Sequence, residues 1–316
     1  MAIIQTDAEN TQQQVSPEVS TNIVDPVNSE SNVEVGDQTT QTTNLGGIAT
    51  PTIVNQTVPI VVFVGPPSSG KSMILVRLAK YLRSQGYTVE PDPTFLNTAQ
   101  YNQNCKIFKE CLTTTKALPG TVVFLLVKVY DRNGNEIAKL LEAPGEDFYT
   151  TDPAKIRAGK NNMIEPYLQT IMASNNIKTY VILLDLDSDT SFRTDGNHRE
   201  SYEQRVLEMF YCNINLDRDR VILLYNKIDA TPFGNIHGCS NPSGARKDAK
   251  MYYPAWFSSM KISQWGIVTV DNFEFITFCT GMFAEQTDDF GKLYKTYTIA
   301  DDKYPRKLWK EIISKW

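Results

Sequence analysis

Apolar positions along the chain follow two periods. Unbroken runs rich in Val, Ile and Leu stand at "VPIVVFV" (58–64), "YVILLDLD" (180–187) and "RVILLYNKID" (220–229). A run without alternation is the pattern of a strand covered on both faces, as in a parallel sheet. "MILVRLAKYLRS" (73–84) and "ESYEQRVLEMFYC" (200–212) instead place their apolar residues on one helical face. Strand and helix in alternation predict an α/β three-layer domain with a mostly parallel central sheet and helices on both faces. One antiparallel strand is expected within it. "TVVFLLVKVYDRNGNEIAKLLEAPGE" (121–146) reads as two strands around "DRNGNE", and Asn133-Gly134 is a strong hairpin signal. "NFEFITFC" (272–279) supplies a further strand.

The remaining patterns lie at the margins of this core. The segment "TFLNTAQYNQNCKIFKECLTTT" (94–115) is expected to carry an extra helix. "PRKLWKEIISKW" (305–316) sets Leu308, Trp309, Ile312, Ile313 and Trp316 on one helical face, with Arg306, Lys307, Lys310 and Lys315 largely elsewhere. This is expected to be a closing helix on the sheet; a membrane surface or a partner protein is the alternative occupant of its apolar face. The residues between Gly281 and that helix exceed what a minimal domain needs, and are expected as a lid or an extra hairpin.

Composition changes the picture at the amino end. The first 57 residues hold no aromatic side chain, and seven carboxylates precede the first basic residue, Lys71. Such a segment buries too little apolar surface to offset chain entropy, so residues 1–57 are expected as a disordered acidic tail. The folded domain is placed at 58–282 and a C-terminal extension at 283–316. With those seven set aside, the 31 basic and 29 remaining acidic side chains nearly balance, which gives no reason to expect nucleic acid. No signal peptide or membrane span is read. Five cysteines without a C-x-x-C pair suit reduced thiols and a cytoplasmic location. Two histidines, His198 and His237, make a histidine-based transition-metal site a poor expectation.

Between the first strand and the first helix stands "GPPSSGKS" (65–72), the G-x-x-x-x-G-K-[ST] pattern in the context it requires. Gly65 and Gly70 allow the backbone angles that turn N–H groups of Pro66, Pro67, Ser68, Ser69 and their neighbours inward wherever an N–H exists. The helix amino end at Lys71, Ser72 and Met73 adds its dipole. Lys71 reaches phosphate oxygens and Ser72 holds Mg²⁺ in such a loop. By chance alone the pattern arises in roughly one chain in a hundred of this length.

The run at 220–229 ends in Asn226-Lys227-Ile228-Asp229. A carboxylate at the end of a strand can accept both hydrogen bonds from guanine N1–H and the 2-amino group, a donor pair adenine lacks. Asn226 can meet the base edge or brace neighbouring loops, and the Lys227 stem can cover the base face.

With these two motifs the chain resembles the Ras-like GTPases of the translation-factor-related class of P-loop proteins, over roughly residues 58–282. The resemblance implies the P-loop NTPase fold, GTP or GDP as ligand, Mg²⁺ as cofactor, and hydrolysis that drives a molecular switch. It places the switch glycine at Gly145 and gives Glu142 the position of the aspartate that holds Mg²⁺ through water. Glu146 takes the position of the glutamine that orients the attacking water. "EAPGE" thus departs from D-x-x-G-Q twice, which sets hydrolysis apart from binding. The threonine that closes on Mg²⁺ is Thr121 or one of Thr113, Thr114 and Thr115. Cys279 and Thr280 take the place of the small-residue turn beside the guanine oxygen. No arginine stands where it would stabilise the transition state, so an activating partner or effector is implied. Oligomeric state is not legible.

Three rival readings compete. "VILLDLD" resembles the strand that ends in the metal-holding acid of ATPases, which would give that role to Asp185. Asp185, Asp187 and Asp189 have the spacing that opens a calcium loop, yet Thr190 and Gly196 stand where glycine and glutamate are needed. A GTP-binding scaffold without hydrolysis is the third, with Glu142 and Glu146 as marks of lost catalysis.

Overall fold

The computed structural model describes residues 55, 57–66, 69–96, 98–118, 125–148, 164–184, 198–264, 268–287, 291, 293–314 and 316. The expected acidic tail lies almost wholly outside them. Its first half of elements runs β1 (Ile60–Val64), α1 (Lys71–Ser84), β2 (Thr88–Pro91), α2 (Ala99–Thr113), β3 (Leu125–Tyr130), β4 (Glu136–Glu142), the single turn α3 (Gly145–Phe148), α4 (Pro166–Ala173) and β5 (Lys178–Leu184). Then come α5 (His198–Asn213), β6 (Arg220–Tyr225), a 3₁₀ turn Ile228–Ala230, β7 (Gly234–Asn235), β8 (Gly238–Cys239), α6 (Pro242–Tyr252) and α7 (Pro254–Ser259). β9 (Lys261–Gln264), β10 (Val268–Asp271), β11 (Glu274–Thr277), β12 (Gly281–Thr287), β13 (Leu293–Ile299) and α8 (Lys303–Ile313) complete the chain.

Seven strands form one sheet in the order β11-β6-β5-β1-β4-β3-β2. All neighbours are parallel except where β3 meets β4 and β2, so β3 alone runs against the rest. Every residue of β1 and β5 is buried, and successive side chains of a strand point to opposite faces; both faces are therefore covered. α1 packs against α2 and α8, while α7 packs against α5 and α6. The expected mostly parallel α/β sheet, with a hairpin supplying its one reversed strand, is what forms.

Local chemistry explains the element ends. Asp131 accepts the amides of Asn133 and Asn135, both at 2.8 Å, and Gly134 takes φ 83°, which closes the β3–β4 turn where Asn133-Gly134 announced it. Thr98 caps α2 by accepting the Tyr101 amide at 3.1 Å. β2 was not announced: its four residues alternate exposed and buried, end in Pro91 and sit at the sheet edge.

The segment after Gly281 forms a hairpin, β12 with β13, rather than a lid. α8 lies on α1 and β11 with Leu308, Trp309 and Ile312 buried, as expected of a closing helix, although Ile313 is exposed. The described residues all fall in one compact unit. Among the described residues no helix is long and apolar enough to cross a membrane, and the five cysteines are free thiols.

Candidate functional site

The parallel register brings the carboxyl ends of the central strands to one edge. Phe63 pairs with Glu142, Val64 with Ile182, Leu184 with Tyr225, and Tyr225 with Thr277. The loops opening at Gly65, Ala143, Asn226 and Phe278 therefore share that edge. Since β1 leads toward β4 and β5 toward β6, the crevice between β1 and β5 is a topological switch point, where α/β sheets bind ligands.

At this edge the phosphate-type loop is built by close contacts. Gly70 precedes α1 with φ 94°, and a Cβ there would lie 2.7 Å from Asn226 Nδ2. A Cβ on Gly65 would meet Ser69 Oγ at 2.7 Å and Leu183 Cβ at 3.1 Å. Gly70 is thus favoured by its angle, and at either position an added Cβ would displace the side chain it meets. Lys71 is buried, and its Nζ donates to the carbonyls of Gly65 at 2.8 Å and Pro66 at 3.0 Å. The charge is held inside the loop. Pro67 and Ser68 lie outside the described residues. The Met73 side chain does not join the site: it is buried, and its sulfur receives the Leu118 amide at 3.2 Å.

Asn226 ties the second motif to the first. Its Nδ2 donates to Ser69 O at 2.9 Å, so the asparagine braces the loop, one of its two expected uses. Its buried Oδ1 has no hydrogen-bond partner among the described residues. Lys227 follows in the left-handed region with φ 55°, and Ile228 N donates to Phe278 O at 3.1 Å, which joins the turn to the end of β11. Asp229 is exposed. The buried Cys279 thiol is pushed up, first by burial and then by its hydrogen bond to the Asp229 carboxylate. Thr280 is buried, and its carbonyl accepts from Ala300 N at 3.2 Å.

Glu142, the last residue of β4, is buried, and Ser72 Oγ donates to its Oε1 at 2.7 Å. Burial pushes its carboxyl up to about 7, against the opposing pull of the Lys71 charge and the Ser72 hydroxyl. Its other oxygen, Oε2, is buried and has no hydrogen-bond partner among the described residues. A hydroxyl beside an under-satisfied carboxylate is an all-oxygen donor set, and Mg²⁺ completed by water and phosphate fits it. The extra methylene of glutamate is accommodated without loss of this contact.

Beyond Glu142, Gly145 is buried at the start of α3. Sequence reading missed the contact that anchors this turn: the buried Asp147 accepts the Tyr167 hydroxyl, and Glu165 N donates to Asp147 O at 3.0 Å. Only the acidic letter at 147 could have signalled it, and nothing in the sequence paired it with Tyr167.

No protein-family model and no curated protein matches the chain. Among solved structures it is similar to a Plasmodium falciparum protein assigned as nucleolar GTP-binding protein 1, with TM-score 0.34 and 13% identity over 72% of this chain and 80% of that one. It is similar to the S. cerevisiae Ski7 GTPase-like domain bound to GTP, with TM-score 0.36 and 16% identity over 71% of this chain and 43% of that one. It is also similar to translation elongation factor SelB from Methanococcus maripaludis in complex with a GTP analogue, with TM-score 0.29 and 13% identity over 71% and 30%. These scores assign no family and no activity.

The remaining expected residues divide. Thr113 and Thr114 hydroxyls donate to Glu110 O at 3.0 and 3.1 Å, at the end of α2, and Thr115 O accepts from Tyr297 N. These three are exposed and committed to helix end and hairpin. Thr121, the Glu146 side chain, and Asp185, Asp187, Asp189, Thr190 and Gly196 lie outside the described residues.

Proposed function

We propose that this chain is a guanine-nucleotide-binding protein that takes GTP with Mg²⁺ and hydrolyses it slowly to GDP, as a molecular switch. The observation that carries the reading is the 2.9 Å bond from Asn226 Nδ2 to Ser69 O. It sets N-K-x-D against the phosphate-type loop and leaves Asp229 exposed at the same edge. In this reading the Asp229 carboxylate accepts the two guanine donors, Cys279 holds that carboxylate in place, the Lys227 stem covers the base and the Thr280 backbone faces the guanine oxygen.

The Gly65–Met73 stretch, with Pro66, Pro67, Ser68, Ser69 and Gly70 in its loop, surrounds the phosphates. Lys71, anchored by two carbonyls, presents its charge to them. Ser72 and Glu142 would hold the metal, with Thr121 as the closing ligand because the Thr113 and Thr114 hydroxyls are bonded to Glu110 O and the Thr115 backbone is paired with β13. Mg²⁺ bound there offsets phosphate charge in the transition state. The Gly145 amide contacts the γ-phosphate, and Glu146 positions water. Loss of that phosphate frees the Gly145 turn, and a partner reads the change. An arginine from a partner or a second copy would be worth roughly 10³ to 10⁵ in rate. The five free thiols suit a reducing cytoplasm in this reading.

A non-hydrolysing GTP scaffold is the second reading, favoured by Glu142, whose burial opposes its charge. Calorimetry with GTP and ATP in Mg²⁺, followed by phosphate release over hours, separates the readings. GTP is expected to bind selectively, Asp229→Asn to weaken it about tenfold or more, and Lys71→Ala to abolish release. Bound GTP that survives supports the scaffold. Preference for ATP sinks the guanine assignment and returns Asp185 to consideration.

A further inference from the structure

β13 is paired on both edges. On one side it meets β12; on the other it takes Thr115–Ala117, with Ala117 N donating to Lys295 O at 2.8 Å and Tyr297 N to Thr115 O at 3.1 Å. Lys116 and Thr296 face each other across this antiparallel join. Lys116 also stands over the Tyr294 ring at 5.6 Å, and Lys80 over the buried Tyr297 ring at 4.9 Å.

Both supports of this strand lead to the candidate site. At the hairpin base, Ala300 N bonds Thr280 O, beside the turn assigned to the base. From α1, the helix that begins at Lys71, Arg77 Nη2 donates to Ala300 O at 2.7 Å and to Asp302 Oδ1 at 2.6 Å. Lys80 of the same helix donates to Thr114 O, and Leu118 N meets Met73, next to Ser72. The join itself is small. Its backbone hydrogen bonds are each worth about 1 kcal/mol net, and Thr115 and Lys116 are exposed, so it belongs to the parts of a fold that open locally.

We propose that β13 is a strap that couples Thr115–Ala117 to the nucleotide: pairing of this segment with β13 and occupancy of the site favour each other. The inference rests on the guanine-nucleotide reading above. A ligand that contacts both the start of α1 and the Cys279–Thr280 turn fixes these two supports relative to one another. β13 then presents its free edge in the position the segment needs. By linkage the effect runs both ways: a segment held on β13 tightens nucleotide binding, and bound nucleotide holds the segment.

The test uses the full chain with Lys116→Cys and Thr296→Cys, and Cys212→Ser to remove the exposed native thiol. Lys116 and Thr296 are flanked rather than joined by the ladder bonds, the pair type whose side chains come closest and suit a disulfide. The equilibrium affinity for a fluorescent GDP analogue is measured with the disulfide formed and after reduction of the same sample. Binding is expected to tighten about tenfold in the oxidised form, within the range typical of coupled sites. In the parent protein, hydrogen exchange at the Ala117 and Tyr297 amides is expected to slow by a similar factor on GDP binding. Equal affinities in the two redox states, or exchange at these amides indifferent to GDP, overturn the strap while leaving nucleotide binding intact. Failure of GDP to bind the reduced protein overturns the nucleotide reading and the strap with it.

Discussion

Single residues carried most of what could be read of the site. Lys71, Ser72 and Asn226 were legible because each has a chemical use that fixes its place relative to a strand end. Asn226 is found bonded to Ser69 O and Ser72 to Glu142. Met73 was not legible in the same way: its place in the motif says nothing about which way an apolar side chain turns, and the core takes it. In the guanine-nucleotide reading, function and stability oppose each other at Lys227. Its φ of 55° costs a non-glycine residue about 1–2 kcal/mol. Lys227→Gly is expected to raise stability by up to about 1 kcal/mol, reduced by the added freedom of the unfolded chain. The same change is expected to lower GTP affinity about threefold to fivefold through loss of the stem over the base. Urea midpoints and calorimetry on one pair of samples read both; unchanged affinity would mean that Lys227 does not cover the base.

At the scale of elements, strands were placed well and their ends poorly. The apolar run at 180–187 suggested a start at Tyr180, yet β5 begins at Lys178, and Lys178 and Thr179 are fully buried. Polar letters concealed the start because their partners come from elsewhere: Lys178 N donates to Asp219 Oδ1 at 3.1 Å, and its Nζ donates to Ser174 O. β2 escaped notice because a four-residue edge strand ending in proline has little period to detect. The buried lysine gives β5 a pH signature. Burial lowers Lys178 to about 8, with Arg218 acting in the same direction and Asp219 against it. Between about pH 8 and the unperturbed value of 10.5, the unfolded chain holds a proton that the folded chain has shed, so folding stability rises with pH across that window. Below it both states are charged, and the cost of burying the charge is present in full. Lys178→Met is expected to be more stable than the parent at pH 7 and to lack the upward slope from Lys178 between pH 8 and 10. Urea titrations at a series of pH values test this, and parallel profiles for the two proteins would place the lysine charge in contact with water.

At the scale of the molecule, the fold class was legible because strand and helix periods alternate, whereas the union of the last segment with the rest was not. A boundary at 282/283 follows from comparing the length with a minimal domain, and length carries no information about contacts. The decisive contact joins residues far apart in sequence: the buried Arg77 reaches Ala300 O and Asp302 Oδ1, which fastens the start of α8 to the helix after the phosphate-type loop. If this contact makes the closing segment part of the same cooperative unit, weakening it lowers the stability of the whole rather than freeing one end. Arg77→Met keeps much of the buried volume and removes both hydrogen bonds. Each bond from a charged donor contributes about 1.5–3 kcal/mol, and Asp302 is 48% exposed, so solvent screening reduces its share. A net loss of about 2 kcal/mol is expected, with one urea transition and with α8 amides exchanging at the rate of the central strands. Two transitions, or early exchange confined to α8, would make the segment after residue 282 an appendage and leave the strap with only its hairpin support.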